Sequence, residues 1–377
     1  MKIICNLSYV FPKKQNKWVF GAWNGRLYSD NSKYLFEFIV KQHPEIDAIW
    51  ITRSKDVHKK LNSLGFKCYT RFSLKGIISA LRAKVAFITS NEMSDISPFI
   101  NRKHITTIQL WHGFGPKRES WAKNDIQIQK RRNRFRDYIW VATSEKNAEY
   151  FFEIHSTPRD QFYITGYPRN DNLFWRPTNA FFEDLKKKNA SCKFIIYMPT
   201  HRNFGKESIN VNTFISIDNF LKKNNLIMVY KPHFHELKNI LHLESSFTNI
   251  ILAKDQDIWG DPYSYIYYFD LLICDYSSMS YDFLCTGKPI VTYAYDIEHY
   301  KNQDAGLADF FFDMPLGPIC LTWEETLKEV TNLLENDTWK EKREEYRKVF
   351  QTYNDGKNCE RVYNVVMSIL DNKHNGQ

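Results

Sequence analysis

At 377 residues the chain exceeds one ordinary domain, and a usual size of about 100–200 residues per domain points to two. Its 43% hydrophobic and 16% aromatic content is ample for cores. No run reaches the roughly 18 apolar residues of a membrane span, because the closest, Tyr263 to Cys274, is short and broken by Asp270. Seven cysteines, an odd number without a CxxC pair, argue against a disulfide framework or a zinc module, so a reducing cytosol is expected, with Cys274 and Cys285 as buried thiols. A net charge of +9 and a pI near 9.0 imply an anionic partner: nucleic acid, a phospholipid surface or a phosphorylated substrate. No secretory leader is expected, since Met1 to Val10 runs into polar Lys13 to Lys17.

From Trp18, the segment WVFGAWNGRLYSD reads as a strand entering a Gly/Asn turn. Ser29 or Asp30 then caps a helix over Asn31 to Gln42, with Tyr34, Leu35, Phe38 and Ile39 on one face. Next come a strand from Ile46 to Thr52, a helix opened by Ser54 and stopped by Gly65, and a short strand near Cys68. A helix from Ser73 to Arg82 and a strand from Val85 to Ser90 follow. The apolar run Ile105 to Leu110 delivers Trp111, His112 and Gly113 at its end, before a Phe114-Gly115-Pro116 loop with Lys117 and Arg118. The basic stretch Lys130 to Tyr138 suits either a solvated helix face or anionic lipid headgroups. A strand from Ile139 to Thr143, a helix capped by Thr143 or Ser144, and Phe162 to Gly166 close the first half.

Around Pro177 and Asp184 to Lys188 the chain crosses between domains, and the alternation restarts. Strands are expected at Phe194 to Met198, Leu226 to Tyr230 and Ile250 to Ala253, with a helix around Thr213 to Lys223. Asp270 to Asp296 reads strand, polar turn, helix, strand, and Thr322 with Glu325 forms a capping box before a helix to about Glu335. Helical patterns from Trp339 to Phe350 and Cys359 to Leu370 finish the chain. This β/α alternation predicts an α/β fold of two Rossmann-like domains, each with a mainly parallel sheet, facing a cleft where the strands' carboxyl ends bind ligand. The expected spans are 1–172, 173–350 and a helical terminus, 351–377, packing back on the first domain.

The candidate chemistry falls just after apolar runs. His112 suits a general base for a hydroxyl, or a structural histidine beside Trp111. Thr200 and Arg202 follow the first strand of the second half, and Arg202 can grip a phosphate or lie solvated. Lys231 and His233 follow the next strand; His233 with His235 allows a metal site, but a phosphate contact suits them better, since no third ligand has recognisable spacing. Asp255-Gln256-Asp257 matches the acidic triplet that holds a metal in some glycosyltransferases, but such triplets arise often by chance and this one reads better as the start of a charged turn. Asp275, Ser277 and Ser278 open a short helix where an anion could sit, or where they only cap and satisfy the turn.

Taken in order, GAWNGRLYSDNSKYLFEFI, LWHG, TSEKNAEYFF, TGYPRND, YMPTHR, YKPH and CDYSSMSYDFLCTGKPIVTY resemble the CDP-glycerol glycerophosphotransferase family of teichoic acid and capsule synthesis, over most of the chain. The resemblance implies a glycosyltransferase-B-like fold, a donor bound mainly by the C-terminal domain, no cofactor and no obligatory metal. It implies His112 as base, with Arg202, His233, Ser277 and Ser278 on the donor phosphates. Thr200, Lys231, Asp275, Gly113, Lys117 and Arg118 are further candidate contacts to donor or acceptor. The implied reaction moves glycerol phosphate from CDP-glycerol to a hydroxyl of a lipid-linked acceptor and releases CMP, on the cytoplasmic face of the membrane, the protein being held there peripherally on anionic lipid. Many members follow the WHG histidine with Thr-Pro-Leu-Lys, whereas this chain has Phe114-Gly115-Pro116-Lys117, a departure expected to bear on the acceptor. The alternatives are CDP-ribitol as donor, a nucleotide-sugar glycosyltransferase of the same fold, and a basic membrane or nucleic-acid binding module, although no nucleic acid is expected as partner.

Overall fold

The computed structural model describes residues 11–100, 105–117, 138–155, 157–200, 211–232, 247–254, 256–303 and 306–375. They divide into two compact units. The first combines the described residues of 1–112, 124–174 and 352–377, and the second those of 113–123 and 175–351. The loop after His112, sequentially inside the first half, thus groups with the second unit.

The first unit is built on seven strands: β1 (Lys14–Phe20), β2 (Asp47–Thr52), β3 (Cys68–Thr70), β4 (Ala83–Ile88), β5 (Thr106–Gln109), β6 (Tyr138–Ala142) and β7 (Phe162–Ile164). They pair in parallel in the order β3-β2-β1-β4-β5-β6-β7. Strands covered by helices on both faces carry nearly continuous apolar runs, and here Val19, Phe20, Ile49, Trp50, Ile51, Ala86, Phe87 and Ile88 are all buried. Phe20 stacks on Phe87 at 4.5 Å, and Phe36 from the Asp30–Gln42 helix meets Phe20 and Trp50 edge-on. The strand order reverses between β1 and β4, the switch point where an open α/β sheet leaves a crevice at its carboxyl edge. β1 starts at Lys14, ahead of the apolar run, because its first residues are exposed and only Trp18 to Phe20 face the core.

The second unit has six parallel strands: β8 (Lys193–Met198), β9 (Leu226–Tyr230), β10 (Ile250–Leu252), β11 (Leu271–Cys274), β12 (Ile290–Tyr293) and β13 (Ile319–Cys320). Their order is β10-β9-β8-β11-β12-β13, and it reverses between β8 and β11. One core joins Ile195, Tyr197, Met228, Leu271, Ile273 and Val291 of the sheet with Phe214, Ile217 and Leu221 of the Val211–Lys223 helix and Leu327 and Val330 of the Trp323–Glu335 helix. The expected capping box is present: Thr322 Oγ1 accepts from Glu325 N, and the Glu325 carboxylate accepts from Thr322 N. The two-residue β13 carries too short an apolar run to be read from sequence.

Candidate active site

In the first unit the site grows out of the switch point. After β1 the chain turns through Trp23–Gly25, and after β4 through Thr89 and Ser90 into the short Glu92–Asp95 helix. Asp95 is fully buried between these turns, and its carboxylate accepts from Asn24 N at 2.7 Å, Thr89 N at 2.9 Å and Ser90 N at 2.7 Å. Burial pushes this carboxyl above its usual range, against the pull of those three N–H donors and of nearby His112. The turn held this way aims the Thr89 carbonyl at His112, whose Nδ1 lies 2.9 Å from it.

A carbonyl only accepts, so Nδ1 carries a proton in every state of the ring. The neutral imidazole therefore presents its lone pair at Nε2, the arrangement a general base requires. Nε2 makes no hydrogen bond to a described residue, and the half-buried ring is clasped between Trp111, stacked at 4.3 Å, and Trp23 at 5.3 Å.

Beneath the histidine lies a buried ion pair. Arg169 Nη1 donates to Asp30 Oδ1 at 2.7 Å and to the His112 carbonyl at 2.9 Å, while the other Asp30 oxygen takes the Trp23 indole N–H at 3.1 Å. Asn31 adds bonds from its side-chain amide to the Leu110 and Trp111 carbonyls. Trp23 (φ 50°), Asn24 (φ 56°), Asp30 (φ 66°) and Trp111 (φ 53°) all sit in the left-handed region, at about 1–3 kcal/mol each for residues with a side chain. The only other described non-glycine residues there are Arg176 and Asn225, so the strain concentrates around His112.

In the second unit the carboxyl ends of β9, β8 and β11 lie side by side, with Tyr230 opposite Tyr197 and Met198 opposite Cys274. Thr200, Lys231, Asp275, Ser277 and Ser278 leave these ends together. Asp275 is buried and braces the loop after β8, accepting from Thr200 N at 2.8 Å and from Thr200 Oγ1 at 2.7 Å. Burial pushes the Lys231 ammonium down to about 8, opposed by Asp261. Ser277 Oγ accepts from Met279 N at 3.3 Å, whereas the half-buried Ser278 hydroxyl makes no capping bond to the Met279–Phe283 helix. Gly115 rests on Ser278: a β-carbon there would lie 3.0 Å from Ser278 Cα. Pro116 and Lys117 are tied to Ala308 and Leu307, and Phe114 stacks on Phe310. Gly113, at φ 150°, begins this loop.

Arg118, Arg202, His233 and His235, the basic stretch 130–136, and Asp255 lie outside the described residues. The residues that sequence reasoning left without a role are Thr89, Asp95, Asp30, Arg169 and Trp23. Asp30 looked like a helix cap, and only the Gly/Asn turn and the polar cluster after Gly166 hinted at them.

Two parallel sheets, each with its own switch point, and a helical C-terminus define a glycosyltransferase-B-like fold. The chain matches the solved structure of the wall teichoic acid polymerase TagF with a TM-score of 0.80 at 20% identity, covering 98% of this chain and 93% of that one. The family profile described as CDP-glycerol:poly(glycerophosphate) glycerophosphotransferase matches residues 3–368, and the chain belongs to that family. It is 26% identical to a teichoic acid poly(glycerol phosphate) polymerase of Bacillus subtilis, over 86% of this chain and 45% of the relative. It is 23% identical to a teichoic acid poly(ribitol-phosphate) polymerase of Bacillus spizizenii, over 84% of this chain and 51% of the relative. The chain thus spans about half the length of these curated relatives.

Proposed function

We propose that this protein transfers glycerol phosphate from CDP-glycerol to a hydroxyl of a lipid-linked teichoic-acid-type or capsule acceptor and releases CMP. The observation that carries the reading is His112, fixed through Nδ1–H to the Thr89 carbonyl with Nε2 left to take a proton. The acceptor oxygen attacks the phosphorus that bears glycerol while His112 Nε2 removes its proton. The bond from that phosphorus to the bridging oxygen breaks, its electron pair leaves with CMP, and a phosphodiester forms. Lys231, Ser277 and Ser278, joined by Arg202 and His233, receive the donor phosphates and stabilise charge moving onto the leaving oxygen, while Thr200, its N–H and hydroxyl both given to Asp275, holds the loop beside them. Family membership supports this donor.

CDP-ribitol is the second reading of the donor, supported by similarity to a ribitol-phosphate polymerase. We place the protein peripherally on the cytoplasmic face of the membrane, where its net charge of +9 favours anionic lipid; among the described residues no helix is long and apolar enough to cross a membrane.

The test is CMP release from CDP-glycerol, CDP-ribitol and nucleotide sugars with membranes as acceptor. CDP-glycerol is expected to react fastest, without inhibition by chelator. His112→Ala should lower kcat by about 10²–10⁴-fold, the range for losing a general base, with KM for the donor little changed. Release of nucleotide from sugars alone, or a fully active His112→Ala variant, sinks the reading.

A further inference from the structure

The loop from Phe114 to Lys117 groups with the second unit and is anchored there at both ends. Phe114 is buried, stacked on Phe310 at 5.4 Å, with Tyr281 edge-on at 5.2 Å and Phe350 at 5.8 Å. At the other end the Pro116 carbonyl accepts from Ala308 N at 2.7 Å, and Lys117 bridges to Leu307. Between these anchors Gly115 lies on Ser278: a β-carbon there would stand 3.0 Å from Ser278 Cα and 3.2 Å from both its N and its Cβ. Gly115 is outside the left-handed region, so space and not backbone conformation demands the glycine. With Phe114 and Lys117 fixed the loop cannot simply retreat, and an added carbon presses on Ser278.

Many family members carry Thr-Pro-Leu-Lys where this chain has Phe114-Gly115-Pro116-Lys117, which sets a proline, and its β-carbon, against Gly115. Here the loop stands closer to Ser278 than a proline allows. Ser278 is half-buried and its hydroxyl makes no capping bond to the Met279–Phe283 helix, so the loop covers one flank of a side chain that its own helix leaves unused. These contacts attach the departure to the donor residues, against the expectation that it bears on the acceptor.

We propose that Gly115 is a positioning residue of the donor site: by letting the loop lie directly on Ser278 it narrows the space beside the donor phosphates and favours the glycerol of CDP-glycerol over the longer ribitol of CDP-ribitol. The proposal rests on the transfer reaction above, in which Ser278 receives those phosphates. Of the donor's two ends, glycerol hangs on the phosphorus that the acceptor oxygen attacks with help from His112, and the loop begins at the residue after His112. The loop is therefore assigned to the alditol end of the donor and not to cytidine. A fitted pocket discriminates a single extra methylene by about 10–200-fold, and ribitol is longer than glycerol by more than that.

Calorimetry reads binding of CDP-glycerol, CDP-ribitol and, as the control without an alditol, CDP; CMP release with a fixed membrane acceptor reads transfer. The proteins are the wild type, Gly115→Ala, Gly115→Pro and Phe114→Leu, each with a thermal melt. Phe114→Leu keeps the glycine and loosens only its anchor, so it carries the test if the Gly115 variants do not melt cooperatively. The wild type should prefer CDP-glycerol to CDP-ribitol by at least about tenfold in kcat/KM. Each variant should shrink that ratio severalfold through a higher KM for CDP-glycerol, with a smaller loss in CDP binding and no change in acceptor KM. A wild type without the preference, or an unchanged ratio in variants that melt like it, overturns the proposal. A loss that falls equally on CDP makes the glycine a support for the fold of the Ser278 turn, and a change confined to acceptor KM returns the loop to the acceptor; both overturn it. If the wild type releases no CMP from either donor, the transfer reading has failed, and the binding ratio of the two CDP-alditols decides the proposal by itself.

Discussion

Lys231 is the described cation at the carboxyl edge of the second sheet, and its charge has a pH window of its own. With the ammonium pushed down to about 8 by burial, it is charged below that pH and neutral above it. The limb of kcat/KM for CDP-glycerol should therefore fall as pH rises through about 8, since kcat/KM reports the free enzyme. Lys231→Met should flatten that limb and lower kcat/KM at pH 7 by about 10–100-fold, the worth of a hydrogen bond to a charged group. An alkaline limb unchanged in the variant assigns it to another group. Stability runs the opposite way: a lysine depressed on folding binds more protons when unfolded, so folding gains as pH climbs from about 8 toward the ordinary 10.5. His112 was legible in the sequence because an apolar run delivers it to a strand end. Its supports were not: Asp30 and Arg169 stand 139 positions apart, and nothing local distinguishes Asp30 from a capping residue.

At the scale of elements, the histidine depends on how closely the ends of β1 and β4 approach. Gly21 permits that approach, since a β-carbon there would lie 2.3 Å from the Asp95 carbonyl oxygen. Gly21→Ala must push the Glu92–Asp95 turn away, and with it the Thr89 carbonyl that orients His112. Overpacking of this kind costs about 1–3 kcal/mol, so a thermal melt should show a clear drop in Tm. The expected signature in CMP release is a loss of kcat larger than any change in donor KM, because donor groups of the second unit are untouched. A variant that folds less stably yet turns over at the wild-type rate removes the Asp95 turn from the catalytic account. The strands and long helices were readable from period and caps, including Ser54 and Ser73, which accept from Val57 N and Gly76 N. The Met279–Phe283 helix was legible from the serine pair that opens it, whereas Glu92–Asp95 carries little more than one helical turn, too little for a period to register.

For the whole molecule, the first unit is completed by residues that come last in the chain. The Asn358–Asn375 helix is capped from far away: Asp171 accepts from Asn358 N at 2.8 Å and from Cys359 N at 2.7 Å, and Asn358 Nδ2 donates to Tyr167 O. Its Tyr363 stacks on His43 at 3.6 Å and lies beside Trp18. Val362, Val366 and Leu370 are buried. At about 1.5–3 kcal/mol per large apolar side chain, these three supply roughly 5–9 kcal/mol, which rivals the total stability of about 5–15 kcal/mol of an ordinary domain. A chain shortened to residues 1–351 should therefore lose the fold of its first unit while the second, whose sheet and core lie wholly within 175–351, keeps its own. Near-UV circular dichroism reads this directly, because Trp18, Trp50 and Trp140 are almost fully buried in the first unit and their signals should collapse. A shortened chain whose near-UV spectrum and melt match the full protein would show that the terminal helix is an accessory, and that the sheet from β1 to β7 holds His112 by itself.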